Sequence, residues 1–230
     1  MKVKLLYFVA CLWMFQVSSA QEPEPVRISF AAFSLGKSIG DLAYESGQDV
    51  EHLDVPSSCR SELKTYTGGP TIVFFTETAG EEGQVLRKPV ARVAVPASGK
   101  RYLFVFIEDH KDGYKVMPLS DDIEDFGAGT YRFVNFADYP VAIELGEQRE
   151  MIKPKGITDI KGKLESDQYY DTLMISLPEA EKPRKAFKGQ IYFSAEQRML
   201  YFVYQKPNSR PGTIKLIGIS EMLQSEAQAE

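Results

Sequence analysis

Between residues 26 and 220 the apolar positions recur with a period of two or in short unbroken runs, and almost nowhere with a helical period. Arg27-Ile28-Ser29-Phe30 alternates. Val141-Ala142-Ile143-Glu144-Leu145 alternates too, which puts Val141, Ile143 and Leu145 on one face of an extended chain. Residues 71–75 and 102–107 are continuous apolar runs, the pattern of central strands covered on both faces. Turn formers separate the segments: Gly68-Gly69-Pro70, Ala97-Ser98-Gly99, Lys111-Asp112-Gly113 and residues 207–212. Strands at intervals of about ten residues, with no helices between them, predict an all-β sandwich or barrel.

The chain also matches itself at an offset of about one hundred residues, the signature of an internal repeat. Val26-Arg27-Ile28-Ser29 resembles Tyr131-Arg132-Phe133-Val134, and residues 42–47 lie over residues 141–146 with Ala, Glu and Gly identical. Pro56 matches Pro154, residues 71–74 match 172–175, and residues 97–106 match 195–204. Each copy closes on a short strand followed by an acidic pair, Ser120-Asp121 and Ser220-Glu221. The fold expected is therefore two tandem immunoglobulin-like β-sandwich units related by an internal repeat, after a cleaved signal peptide. The boundaries are 1–20 for the signal peptide, 21–122 and 123–222 for the two repeats, and 223–230 for a disordered tail. The junction at 121–129 is acidic, glycine-bearing and short. The units are thus expected to touch, with Ile123 and Phe126 at the contact.

The amino terminus adds a destination. Lys2 and Lys4 precede an apolar run over residues 5–15, and Ser18 and Ala20 form a small-residue cleavage site. That three-part pattern is a secretory signal peptide cut after Ala20, and eleven apolar residues are too few to span a bilayer. Residues 8–11 loosely resemble a lipobox at Cys11, but cleavage there leaves Leu12 and Trp13 at the new terminus. After cleavage at Ala20, Cys59 is the one cysteine left, so an internal disulfide is excluded and the core alone must hold the fold.

The second copy opens with Arg132-Phe133-Val134-Asn135-Phe136 and runs into Pro140-Val141-Ala142-Ile143-Glu144-Leu145-Gly146. This patch resembles a group of uncharacterised exported bacterial proteins with two tandem β-sandwich units. The resemblance implies the architecture and no activity, so it assigns no residue a role.

The chain carries 27 Lys and Arg against 32 Asp and Glu, a formal charge of −5, which gives no global attraction to nucleic acid or anionic lipid. His52 and His110 are the two histidines, far apart and without the paired spacing of a zinc site; both are expected in surface loops. Ser57, Ser58 and Cys59 follow His52, with Asp49 and Asp54 nearby, but no GxSxG or SxxK context makes a nucleophile of them. Cys59 reads as a half-buried thiol. Asp121-Asp122 and the acidic residues after them offer the hard oxygens of a calcium site or a solvated linker. The lysines at 153, 155, 161 and 163, and those at 182, 185 and 188, read as charges that protect sheet edges. Tyr169-Tyr170 is the candidate aromatic platform for a glycan.

These observations assign no catalytic, cofactor or metal residue. The expectation is an exported, non-enzymatic protein with a structural or adhesive role through protein contacts in the cell envelope. A glycan-binding module is the alternative and a small secreted hydrolase the second alternative.

Overall fold

Strand alternation sets which side chains face inward, and the layering follows from it. The computed structural model describes residues 25–96, 100–109, 113–161, 167–179, 181–206 and 208–223. Residues 1–24, where the signal peptide is expected, His110, Lys163 and the residues beyond 223 lie outside the described residues. Apart from one 3-10 turn at Glu81–Gly83, all regular structure there is β.

The first half of the chain forms β1 (Val26–Ser34), β2 (Ile39–Ser46), β3 (Asp49–Val55), β4 (Lys64–Gly68), β5 (Thr71–Ala79), β6 (Val85–Ala94), β7 (Arg101–Asp109) and β8 (Gly113–Ser120). The second half forms β9 (Thr130–Asn135), β10 (Val141–Leu145), β11 (Gln148–Ile152), β12 (Ile157–Lys161), β13 (Gln168–Ser176), β14 (Arg184–Phe193), β15 (Gln197–Gln205) and β16 (Ile214–Met222). The same connectivity occurs twice. In the first half the order is β3-β2-β5-β6 continuing into β8-β7-β1-β4 as one eight-stranded sheet. In the second half the counterparts, β11-β10-β13-β14 and β12-β9-β15-β16, are two separate four-stranded sheets. In each half the first strand runs parallel to the seventh, β1 with β7 and β9 with β15.

Three cores hold the layers. Phe30 of β1 and Phe104 and Phe106 of β7 meet Tyr44 of β2 and Phe74 of β5. Phe30 lies 5.3 Å from Tyr44, and Phe74 lies 5.1 Å from Phe106, centroid to centroid. The eight-stranded sheet is thus folded over so that its two parts face each other. Tyr131, Phe133 and Tyr201 similarly meet Ile143, Met174 and Phe193 in the second half. The third core lies between the halves. Ala31, Phe33, Leu103, Val105 and Leu119 of the first half pack on Val134, Leu200, Phe202 and Ile219 of the second. Phe33 and Phe202 stack there at 5.0 Å. Each such fully buried ring contributes on the order of 1.5–3 kcal/mol.

This third core explains the unbroken apolar run in β7. Tyr102, Phe104 and Phe106 fill the core of their own half, while Leu103 and Val105 are covered by the other half. Phe126 at the junction is fully buried in the same core, as expected, but Ile123 is 49% exposed. The junction turns at residues 122–125 and aims one of its two large apolar side chains outward.

The structure corrects the repeat alignment by small slips. Matching 97–106 to 195–204 puts Tyr102 over Leu200, yet these face different cores. Phe106 O accepts from Leu35 N–H as Val203 O accepts from Phe136 N–H, so Phe106 corresponds to Val203 and Tyr102 to Met199. Likewise Tyr44 pairs with Phe74 and Ile143 with Met174, which aligns Phe74 with Met174 and not Ile175. A one-residue slip reverses every side chain in a strand. Short apolar blocks match almost as well in either register, so identity could not detect it.

Candidate functional site

The densest group of ionisable side chains sits where the two halves meet. Its members are placed by two hairpins of matched register: Tyr102 pairs with Ser120 in β7–β8, and Met199 with Ser220 in β15–β16. Asp121 therefore lies beside Arg101, and Glu221 beside Arg198. The contacts are reciprocal. Arg101 Nη2 donates to Glu221 Oε1 at 2.8 Å, and Arg198 Nη2 donates to Asp121 Oδ2 at 2.9 Å. Such exchange of equivalent partners marks an isologous interface, here within one chain.

Arg60, from the loop between β3 and β4, donates to the same Asp121 Oδ2 at 2.7 Å, and Arg101 Nε adds a third contact at 3.3 Å. One carboxylate oxygen thus takes three guanidinium groups. Arg198 is fully buried and also donates to Asp121 O, Phe126 O and Glu221 Oε2. Arg60 Nε lies 3.1 Å from Glu221 Oε2 but does not aim its N–H there, so that contact is ionic without a hydrogen bond. Arg132 makes a bidentate pair with Asp159 at 2.8 Å and reaches Ser120 O. Its guanidinium and that of Arg198 both lie against the Phe126 ring, at 4.3 and 4.8 Å from the centroid.

Burial works to raise the Glu221 carboxyl, but the charges of Arg60, Arg198 and Arg101 outweigh it and hold the group below its usual range. Burial, joined by the neighbouring Arg198 cation, pulls Arg60 below the normal guanidinium value, against the two carboxylates. These groups are matched to one another, and the cluster clasps the two halves together. That corrects the calcium reading of the junction. Asp121 is 1% exposed and its Oδ2 faces three cations. Asp122 accepts from the backbone N–H groups of Lys100 and Arg101.

The second feature is a seam in the second half. In the first half β6 and β8 join side by side through Ala91 with Tyr114 and Arg92 with Lys115. Their counterparts β14 and β16 are each the end strand of a sheet and do not pair. Between them opens a cavity of about 600 Å³ whose floor is Phe187, Ile191, Met199, Tyr201, Ile214 and Leu216. A larger groove, about 780 Å³, lies on the opposite side between β11 and β12. Its lining is polar and charged, including Arg149, Glu150, Asp159 and Lys161, with Tyr170 at one end.

The residues singled out in the sequence scatter. His52 is not in a loop: it lies in β3 on an exposed position, and among the described residues no hydrogen bond links it to Ser57, Ser58 or Cys59. Ser57 instead pairs with Ser38 at 3.1 Å. Cys59 is exposed rather than half-buried. Tyr169 and Tyr170 point to opposite faces of β13, as neighbours in a strand must. Tyr169 is exposed and meets the cross-strand Tyr192 at 5.1 Å with the rings tilted by 55°. Tyr170 packs on the core of its half. Lys185 and Lys188 do stand exposed on an edge strand. Sequence reading missed the arginine clasp. Its signal was the Ser-acid pair that ends each repeat, with an arginine twenty residues before one and twenty-three before the other.

Neither a family model nor a curated protein matches this sequence. No helix among the described residues is long and apolar enough to cross a membrane.

Proposed function

We propose that the chain is an exported, non-enzymatic protein of two tandem β-sandwich units, 21–122 and 123–222. Its role is structural or adhesive, through protein contacts in the cell envelope. The immunoglobulin likeness in this reading is one of layering, sheet on sheet. One observation carries the proposal: the second half presents two long unpaired strand edges, β14 and β16, with apolar side chains open between them. Exposed edges of this kind are either protected or used as templates for a partner strand. The clasp between the halves gives such a surface a stiff mount.

The test places photo-cross-linking residues at Lys185, Leu86 and Met151, one at a time, in cells that make the full chain. Discrete protein adducts from a fractionated envelope support the proposal. A folded chain that stays in the cytoplasm, or that forms no protein adduct at any of the three positions, overturns it.

A glycan-binding reading has one observation in its favour, the exposed Tyr169–Tyr192 ring pair beside Asp167, which accepts from the Tyr192 hydroxyl at 3.0 Å. A thermal shift with a glycan that disappears in Tyr169→Ala would favour it over the first.

A further inference from the structure

We infer that the seam between β14 and β16 is a docking groove for an extended, acidic segment of a partner protein, which adds there as a strand. The inference rests on the protein-interaction reading above and names its site and the chemistry of its partner.

The chain contains its own control. The first half has the same connectivity with the seam shut, and one residue explains the difference. Gly113 opens β8 at φ +127°, and a Cβ there would stand 2.1 Å from Val90 O of β6. Only a residue without a side chain lets β8 come this close, and the next two residues then pair with Ala91 and Arg92. The register of the two hairpins, Ser120 with Ser220, puts Thr213 at the position of Gly113. Thr213 carries a branched side chain, and its hydroxyl is held by Arg184 Nη1 at 3.4 Å. β16 therefore lacks the glycine that lets β8 close on β6, and no ladder joins β16 to β14.

What opens is the inner face of the sandwich. Ala91 and Val116 are buried, whereas their counterparts Phe187 and Leu216 are only partly covered; Tyr114 and its counterpart Ile214 are partly covered in both halves. Tyr201 lies flat across Gly218, where a Cβ would meet its ring at 2.6 Å, so the floor stays low along β16. An extended peptide fits both features. Its alternate side chains reach the apolar floor, and its backbone offers N–H and C=O groups to an unpaired edge. Charge selects the remaining positions. No carboxylate lines the cavity and Lys215 stands at its rim; Lys185 and Lys188 are exposed on β14 outside the cavity, in a depression they share with Glu144 and Asp171. A segment with apolar residues facing in and acidic residues facing out is complementary to that arrangement.

The probe is a fluorescent nine-residue peptide of alternating valine and glutamate with blocked ends, titrated into the folded chain. Binding is expected, with amide shifts confined to β14, β15 and β16. Methylating alternate backbone nitrogens, or replacing the glutamates by lysine, should weaken it at least tenfold. Lys188→Glu and Lys215→Glu, both at exposed positions, should weaken the acidic peptide and leave the fold intact, while Lys88→Glu in β6 should change nothing. Equal affinity for the backbone-methylated peptide would mean an apolar pocket indifferent to backbone and would overturn strand addition. Shifts elsewhere, or no binding by the acidic peptide, would overturn the groove. If the peptide fails while cross-links form at Leu86 or Met151, the groove falls and the interaction reading stands.

Discussion

Arg198→Met removes the centre of the clasp while keeping most of the side-chain volume. Arg198 is fully buried and donates to Asp121, Glu221 and two backbone carbonyls. Removing one member of a buried ion pair typically costs about 3–5 kcal/mol, because the partner charge stays buried. The orphaned Phe126 carbonyl adds about 1–3 kcal/mol. Asp121 keeps Arg60 and Arg101, and that works in the other direction. The expected loss is about 4 kcal/mol, a large part of the roughly 5–15 kcal/mol that stabilises a typical domain. Equilibrium unfolding in urea measures it. With a slope of about 2–3 kcal/mol/M, the midpoint should fall by roughly 1.3–2 M. Arg198→Lys, which keeps the charge but not the planar fork, should fall between wild type and Arg198→Met. A loss below about 1 kcal/mol for Arg198→Met would show that solvent reaches the cluster, and the account of it as a buried clasp would be refuted.

Three further outcomes follow from the same geometry. The Tyr44 hydroxyl is buried with no partner among the described residues, and burial, aided by the Glu51 charge, pushes it up to about 12; Tyr44→Phe should therefore leave stability unchanged or raise it by up to about 1 kcal/mol in urea unfolding. Gly113→Ala forces a Cβ against Val90 O and should cost about 1–3 kcal/mol, with faster hydrogen exchange at Ala91 and Tyr114; unchanged exchange would contradict the role given to Gly113. The Glu221 carboxyl is held below its unfolded value, so its contribution is fully present above about pH 4.3 and is lost as pH falls through the folded value. Glu221→Gln should flatten that acid limb of the stability–pH curve.

Much of the fold could be read from the chain. Alternation in Val141–Leu145 put Val141, Ile143 and Leu145 inward, and they are buried. The unbroken run in β7 required cover on both faces, though what supplies it, the other half, was not visible. The site was less legible. Asp121 in sequence belongs to an acidic run and resembles a solvated linker. Its meaning depends on Arg60 and Arg198, 61 and 77 positions away. Cys59 and Ile123 were placed by hydrophobicity alone, and loop geometry exposed both.

The sequence by itself determined the class of structure and the strand faces, because a period of two is a local property of the extended chain. It also encoded the difference at Gly113 and Thr213, although neither residue signals its consequence alone. Only the tertiary structure decided which strands are neighbours, which seam is shut and which is open, and that the acids ending each repeat answer the arginines of the other. Those outcomes depend on register and on contacts between residues far apart in the chain, where a slip of one residue exchanges the two faces of a strand.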